Sequence, residues 1–166
     1  MKYIGLIVFS LFFLSMDSPI ENVRSQFPNV NSLDKANEFI EILKDDNSPE
    51  AKGYTAAMIL MKSRYVKGPF AKLKFFKQGK KILDNDILEN PDCIEIRYIR
   101  FLMQKQIPDF LRYNKNVEED FKFIAGKLLS SNFRASFKIK MLKNMLLVNN
   151  LSEIEKNKIN QILKKI

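Results

Sequence analysis

The chain has 166 residues, a formal net charge of +9, 46% hydrophobic residues and 28% charged residues. This length and composition are typical of one folded domain and argue against intrinsic disorder. There is no His and a single Cys, Cys93, which excludes His-dependent catalysis, zinc sites built on imidazole or on several thiolates, and an internal disulfide bond. We therefore expect no metal and no cofactor.

Residues 1–18 have the pattern of a secretory signal peptide. Lys2 supplies the positive start, residues 3–14 form an uncharged apolar run, and Asp17 ends the run. The run is shorter than a transmembrane helix requires, and no Cys follows it that could carry a lipid anchor. We expect cleavage and export to the periplasm or the extracellular space. The cleavage position stays open, and an uncleaved anchor or a folded N-terminal helix are the alternatives.

Residues 19–166 have helical periodicity throughout and are expected to form a single all-helical domain. Eight helix starts follow the leader, but the first opens only a short helix over 20–27, so the expected number of helices is about seven. The starts are marked by Ser18-Pro19, Ser32, Ser48-Pro49, Gly68-Pro69, Asn90-Pro91-Asp92, Asn116, Asn132 and Ser152.

Two of these starts have the spacing of a capping box, namely Asp92 with Glu95 and Ser152 with Glu155. The helix predicted over 93–106 is apolar nearly all round, which indicates a central and buried position. The residues after it, 109–115, are expected to form a loop with room for one helical turn.

Three of the predicted caps recur at a fixed interval. Ser48, Asn90 and Asn132 each lie 42 residues from the next, within the range of helical repeats. The interval predicts two-helix units stacked side by side. We therefore expect an all-α fold of antiparallel helical hairpins stacked as a short tetratricopeptide-like array, although Asp86 stands where that repeat usually has Ala.

A basic stretch rich in aromatic residues runs from Lys62 to Lys81 without an acidic residue. One interpretation is an anion-binding patch with aromatic contacts. On a helix, however, Lys74, Lys77 and Lys81 share one face, and Phe75 and Phe76 take the opposite face. We expect the aromatic residues to lie in the core and the lysines to form a solvated row, which is the candidate for binding an anionic surface.

The helix predicted over 93–106 carries a narrow polar stripe made of Arg97, Arg100 and Gln104. Buried arginines need carboxylate or carbonyl partners, so one interpretation is a network of salt bridges between helices. The functional alternative is a groove that these three side chains line and that suits a peptide carboxylate or another acidic group. We name the three as candidate binding residues.

Four carboxylates, Asp109, Glu118, Glu119 and Asp120, could in principle supply the acid pair of a glycoside hydrolase. Acids in the first turn of a helix are also what the helix dipole favours. The sequence contains no Gly-rich phosphate loop, no calcium loop and no nucleophile elbow. We expect no enzymatic activity and assign no catalytic residue.

A set of short motifs lies within residues 51–124. The motifs are Pro69-Phe70-Ala71-Lys72-Leu73, Phe76-Lys77-Gln78-Gly79-Lys80, Asn90-Pro91, Glu95-Ile96-Arg97-Tyr98-Ile99-Arg100, Gln104, Pro108, Phe110-Leu111 and Tyr113. In these motifs the chain resembles a family of small exported proteins of Bacteroidetes-type bacteria that has no characterised activity. The resemblance implies an envelope location and a helical fold. Arg112 departs from the pattern, because Gly is expected between Leu111 and Tyr113.

These features predict a non-enzymatic helical interaction module of the bacterial envelope or secreted space, whose partner is another envelope protein or a peptide. The alternative is a basic protein that binds anionic envelope surfaces, such as lipid headgroups, lipopolysaccharide or acidic glycans, through residues 62–81. We expect no nucleic acid partner for an exported chain. The sequence leaves open the partner, the pathway and the oligomeric state.

Overall fold

The computed structural model describes residues 18–166, so residues 1–17 of the predicted signal peptide lie outside the described residues. Within this part of the chain there are eight α-helices, one short 3₁₀ turn and no strand. The all-α prediction is confirmed, with one helix more than the expected seven. The helices are α1 Pro19–Gln26, α2 Leu33–Leu43, α3 Pro49–Lys62, α4 Pro69–Glu89, α5 Ile94–Gln106, α6 Val117–Lys127, α7 Ala135–Leu146 and α8 Glu153–Leu163, and the 3₁₀ turn is Asp109–Leu111.

The last six helices pack as three consecutive hairpins, α3 with α4, α5 with α6, and α7 with α8. Neighbouring hairpins stack, because α5 contacts both α3 and α7, and α6 contacts α8. At the N-terminal end, α2 packs on α3, and α1 packs on both. Buried side chains from all eight helices form one hydrophobic cluster. This arrangement is the stacked helical array that the sequence predicts.

Helix α5 is the central element of the array. All ten residues from Glu95 to Gln104 are buried, and the helix contacts α3, α4, α6 and α7. This confirms the prediction drawn from its nearly continuous apolar surface. Its polar residues are therefore buried as well, and each needs a partner from a neighbouring helix.

Three predicted serine caps are confirmed. The hydroxyl oxygen of Ser32 accepts the backbone N–H of Lys35 at 3.0 Å, and that of Ser48 accepts the N–H of Ala51 at 3.2 Å. Ser152 begins α8 with both hydrogen bonds of a capping box, in which Glu155 is the partner.

Two of the asparagine caps are wrong. Asn90 ends α4, since its side-chain amide donates to the carbonyl of Asp86 at 3.1 Å, and Asn132 lies two residues before Arg134, the N-cap of α7. Asn116 is the N-cap of α6, as predicted, although its side chain makes no capping hydrogen bond. The equal interval between caps is thus not observed, although the hairpins do stack.

The capping box predicted for α5 is also absent. Glu95 does not cap its own helix, because it is fully buried and accepts hydrogen bonds from Arg24 and Tyr54. The loop after α5 forms the one helical turn for which the sequence has room, at Asp109–Leu111. Among the described residues, no helix combines the length and the apolar character needed to cross a membrane.

Candidate functional site

Two of the three candidate binding residues on α5 are engaged by α6. The Nε of Arg100 donates to Oδ2 of Asp120 at 2.7 Å, and its Nη2 donates to Oδ1 at 2.8 Å. Nη1 of Arg97 donates to the same carboxylate at 3.0 Å and to Glu119 at 2.8 Å. Asp120 is fully buried. These contacts are the salt-bridge network that the sequence offers as one interpretation of the arginines.

The network stabilises the charged form of Arg100. Burial is the largest single influence on Arg100 and opposes its charge. The hydrogen bonds to Asp120, together with the charges of Asp120 and other nearby groups, outweigh burial and raise the pKa of the guanidinium above its usual value. Arg97 also donates from Nε to the carbonyl of Pro91 at 2.7 Å, which ties the start of α5 to the preceding turn. A ligand carboxylate would have to displace Asp120 to reach these arginines, so their binding role stays a prediction.

Gln104, the third candidate, lies apart from the two arginines. Its side chain is 2% exposed, and neither Nε2 nor Oε1 has a hydrogen-bond partner within residues 18–166. It contributes to the wall of a polar cavity of about 310 Å³ between the loop after α5 and the turn before α8. The structure therefore does not bring Arg97, Arg100 and Gln104 into one common groove. The other residues around the cavity are Lys105, Asp109, Asn114, Val117, Asn149 and Asn150.

The predicted lysine row is present on α4. Lys74, Lys77 and Lys81 are exposed, and none of them takes part in an ion pair within the described residues. Phe76 is buried and Phe75 is half-buried on the other side of the helix, as predicted. Phe70, in contrast, is 87% exposed. It lies four residues before Lys74, on the same face of the helix as the lysine row.

The four carboxylates bind different partners. Glu118 is exposed and pairs with Lys122, while Glu119 and Asp120 bind the arginines of α5. Asp109 accepts a hydrogen bond from the amide of Asn114 at 3.3 Å. Within residues 18–166, no three His, Cys, Asp or Glu side chains are grouped so that they could hold a metal ion.

Cys93 is half-buried at the N-cap of α5, and its Sγ lies 3.5 Å from a carboxylate oxygen of Glu50. Burial raises the pKa of its thiol to about 11. A thiol with such a pKa stays protonated at neutral pH, and it is therefore a weak nucleophile.

An apolar groove, which the sequence does not reveal, lies between the start of α4 and the 3₁₀ turn after α5. We call it the Phe70–Phe110 groove after the two exposed aromatic side chains beside it. Phe70 is 87% exposed and Phe110 is 79% exposed. The groove has a volume of about 580 Å³, within the range of ligand-binding pockets. The residues that line it are Ser63, Arg64, Pro69, Lys72, Leu73, Phe76, Pro108, Phe110 and Leu111.

The groove has an apolar floor and a basic rim. Phe76 is buried at its floor and packs edge-on against Tyr113, with the ring centroids 5.9 Å apart. Arg64 and Lys72 are the charged residues of the lining, and both are exposed. Among the described residues, none of those that line the groove is acidic.

Comparisons of the chain with protein-family models, with curated proteins and with solved structures find no match.

Proposed function

We propose that the chain is a non-enzymatic helical interaction module of the bacterial envelope or secreted space, and that it binds another protein or a peptide through the Phe70–Phe110 groove. The observation that carries this proposal is the pair of exposed aromatic side chains beside a preformed apolar cavity. Exposed apolar surface that borders a cavity and is rimmed by polar groups is characteristic of interaction sites. The envelope location rests on the signal-peptide pattern of residues 1–18.

Aromatic residues at the centre of an interface contribute most of its binding energy, which makes Phe70 and Phe110 the natural anchors. Both belong to regular secondary structure, since Phe70 follows Pro69 at the start of α4 and Phe110 lies within the 3₁₀ turn. The groove is therefore formed before a partner arrives, which lowers the entropic cost of binding.

Affinity capture tests this proposal. Residues 18–166 and the double variant Phe70→Ser/Phe110→Ser would be incubated with a bacterial envelope extract, washed at low and then at high salt, and the bound proteins identified by mass spectrometry. We expect a defined protein that survives high salt and is lost from the double variant.

The matched control is Leu88→Ser/Leu147→Ser, because these leucines are 79% and 80% exposed and lie outside the groove. The control removes similar apolar surface and should retain the captured protein. Capture of the same proteins by all three forms would overturn the proposal.

The second candidate function is binding of anionic envelope surfaces, and the unpaired row of Lys74, Lys77 and Lys81 favours it. Such binding is electrostatic and should weaken steeply as salt rises. The test is co-sedimentation with vesicles that contain phosphatidylglycerol, comparing the wild-type chain with the triple Lys→Gln variant of the row. Binding that is absent, insensitive to salt or unchanged in the variant would exclude this function.

A further inference from the structure

We infer that the Phe70–Phe110 groove takes an acidic segment of a partner protein, which inserts an apolar side chain into the groove while its carboxylates meet the basic rim. This inference rests on the proposed function and specifies the chemistry of the occupant. Three features of the described residues carry it: the charge of the rim, the open N-terminus of α4, and the concave shape of the site.

The charge of the rim has one sign. Nη2 of Arg64 donates to Oε1 of Gln106 at 2.5 Å, which holds the guanidinium at the edge of the groove without neutralising it. Lys72 also lines the groove and forms no ion pair within residues 18–166. Lys67 adds a third exposed cation one residue before α4 is capped. An acidic occupant is complementary to this rim, and a basic one is repelled.

A second groove on the molecule serves as a comparison, because its lining carries equal numbers of acidic and basic residues. The groove between α6 and α8 is lined by two acids, Glu118 and Glu155, and by two lysines, Lys122 and Lys158. Such a lining favours neither sign of charge. The single-sign rim at the Phe70–Phe110 groove is therefore a local feature, although the chain as a whole is basic.

The N-terminus of α4 opens beside the groove without a cap of its own. Its N-cap is Gly68, which has no side chain to accept a hydrogen bond, and its first turn contains no acid. In contrast, α2, α3 and α8 each begin with a serine cap and an acid in the first turn. The free N–H groups in the first turn of α4 carry partial positive charge, and a carboxylate from the occupant can accept from them.

The shape of the groove favours a protein segment over a bilayer. The floor at Phe76 is buried, whereas Phe110 in the lining and Phe70, next to the lining residue Pro69, are exposed. A flat membrane that touched the two exposed rings would leave the floor uncovered. A bulky side chain projecting from a peptide reaches the floor and leaves the neighbouring acids at the rim.

Three synthetic peptides of equal length test the inference by fluorescence anisotropy on residues 18–166. The first combines Glu with Phe and Leu, the second replaces Glu by Lys, and the third replaces Phe and Leu by Ser. We expect the first to bind at least about tenfold more tightly than the other two, which corresponds to about 1.4 kcal/mol. Its affinity should fall as salt rises.

The matched variants are Lys72→Glu and Lys81→Glu, which make the same charge change on the same helix about 13 Å apart along its axis. Lys72→Glu should weaken binding of the acidic apolar peptide about tenfold, and Lys81→Glu by less than about threefold. Lys72→Glu should not lower the melting temperature, since an acid near a helix N-terminus is stabilising. A loss of binding in this variant is then not a loss of folding.

Equal binding of the acidic and basic peptides, no binding of either, or equal weakening by the two variants would overturn the inference. So would binding to phosphatidylglycerol vesicles that depends on Phe70 and Phe110 while the peptide fails to bind. If capture from the envelope extract still depends on the two aromatic residues in these cases, the proposed function stands and only the acidic chemistry of the partner is wrong.

Discussion

Asp86, on α4, is a buried carboxylate with an incomplete set of hydrogen bonds. Its Oδ1 accepts from the amide of Asn90 at 3.2 Å, but Oδ2 has no partner within the described residues. Burial raises the pKa of Asp86 from 3.8 to about 6, and nearby Lys52 only partly offsets this. The folded state therefore binds a proton more tightly than the unfolded chain does, so ionised Asp86 reduces stability above about pH 6.

The substitution Asp86→Asn should accordingly stabilise the protein at neutral pH by about 1–2 kcal/mol. The advantage should shrink as pH falls from about 6 to about 4, because the wild-type side chain becomes protonated and neutral. Urea denaturation of both proteins across this pH range measures the difference. Asp45→Asn is the control, since Asp45 is exposed. A difference that does not vary with pH would contradict the assignment of the effect to ionisation.

Arg112 is held in a backbone conformation that favours glycine. Its φ is 50° and its ψ is 43°, in the left-handed region, at the end of the 3₁₀ turn. Arg112→Gly should raise the free energy of unfolding by about 1 kcal/mol, because glycine adopts this conformation without the clash that Cβ causes. Lys115→Gly, in the same loop and without a positive φ, should be neutral or destabilising. Thermal unfolding distinguishes the two, and equal shifts would refute the explanation.

At the scale of the helices, the close packing of α3 and α4 depends on Gly79. A Cβ atom at this position would lie 2.7 Å from the carbonyl oxygen of Ala56 and 2.8 Å from the backbone nitrogen of Leu60. Backbone atoms cannot move aside as the end of a side chain can. Gly79→Ala should therefore force the two helices apart and destabilise the protein by about 1–3 kcal/mol.

Gly126 is the matched control, because a Cβ there would meet no atom within 4 Å. In the open environment of α6, Gly126→Ala should stabilise the protein by about 0.5–1 kcal/mol through helix propensity. The two glycine substitutions thus have opposite signs in chemical denaturation. Two effects of the same sign would show that helix propensity, and not the contact between α3 and α4, determines the outcome.

The helices could be predicted from the sequence because their signals are local. Ser32, Ser48 and Ser152 act within one turn of their own helices, so the pattern of a few residues is sufficient. The capping box at Asp92 and Glu95 failed because a distant residue competes for Glu95. Arg24, 71 positions earlier in the chain, binds that carboxylate, and Tyr54 donates to it. A pattern of neighbouring residues cannot identify such long-range partners.

The candidate site was less predictable than the helices. The sequence correctly indicates that Arg97 and Arg100 need carboxylate partners, but it does not specify Asp120 as the shared one. The Phe70–Phe110 groove is formed by two segments that are far apart in the sequence. Helical periodicity places Phe70 on the same face as the exposed lysines. Only the packing of α4 against the turn after α5 reveals that this face borders an apolar groove.

At the scale of the whole molecule, the N-terminal segment 19–27, which comprises α1 and Phe27, connects the first hairpin to the last. Arg24 donates to both oxygens of Glu95 on α5, at 2.7 and 2.5 Å. The ring of Phe27 packs edge-on against Tyr54 and Tyr98, with centroids 5.2 and 6.3 Å away. On α7, Lys140 donates to the carbonyl of Ser25 at 2.6 Å, among other contacts. The segment thus covers one face of the array from α3 to α7.

The pairing of Arg24 with Glu95 should hold this face together. Burial raises the pKa of Glu95, while the hydrogen bonds and charge of Arg24 act against that increase. Arg24→Met leaves the buried carboxylate without its cation, which should cost about 3 kcal/mol at neutral pH. The pKa of Glu95 should then rise further, so part of the lost stability should return as the pH falls and the carboxyl group becomes protonated.

Hydrogen exchange followed by mass spectrometry identifies the helices that lose amide protection in the Arg24→Met variant. Arg24→Met should reduce protection in α1 and in α7 while α4 keeps the protection that it has in the wild-type chain, because α4 lies outside the face that the N-terminal segment covers. Arg134→Ala is the control, since its pair with Glu21 also joins α7 to α1 but lies on the surface, and it should change stability by less than about 1 kcal/mol. Equal loss of protection in all helices would mean that the molecule unfolds as one unit. Equal effects of the two substitutions would show that the burial of Glu95 is not what makes Arg24 important.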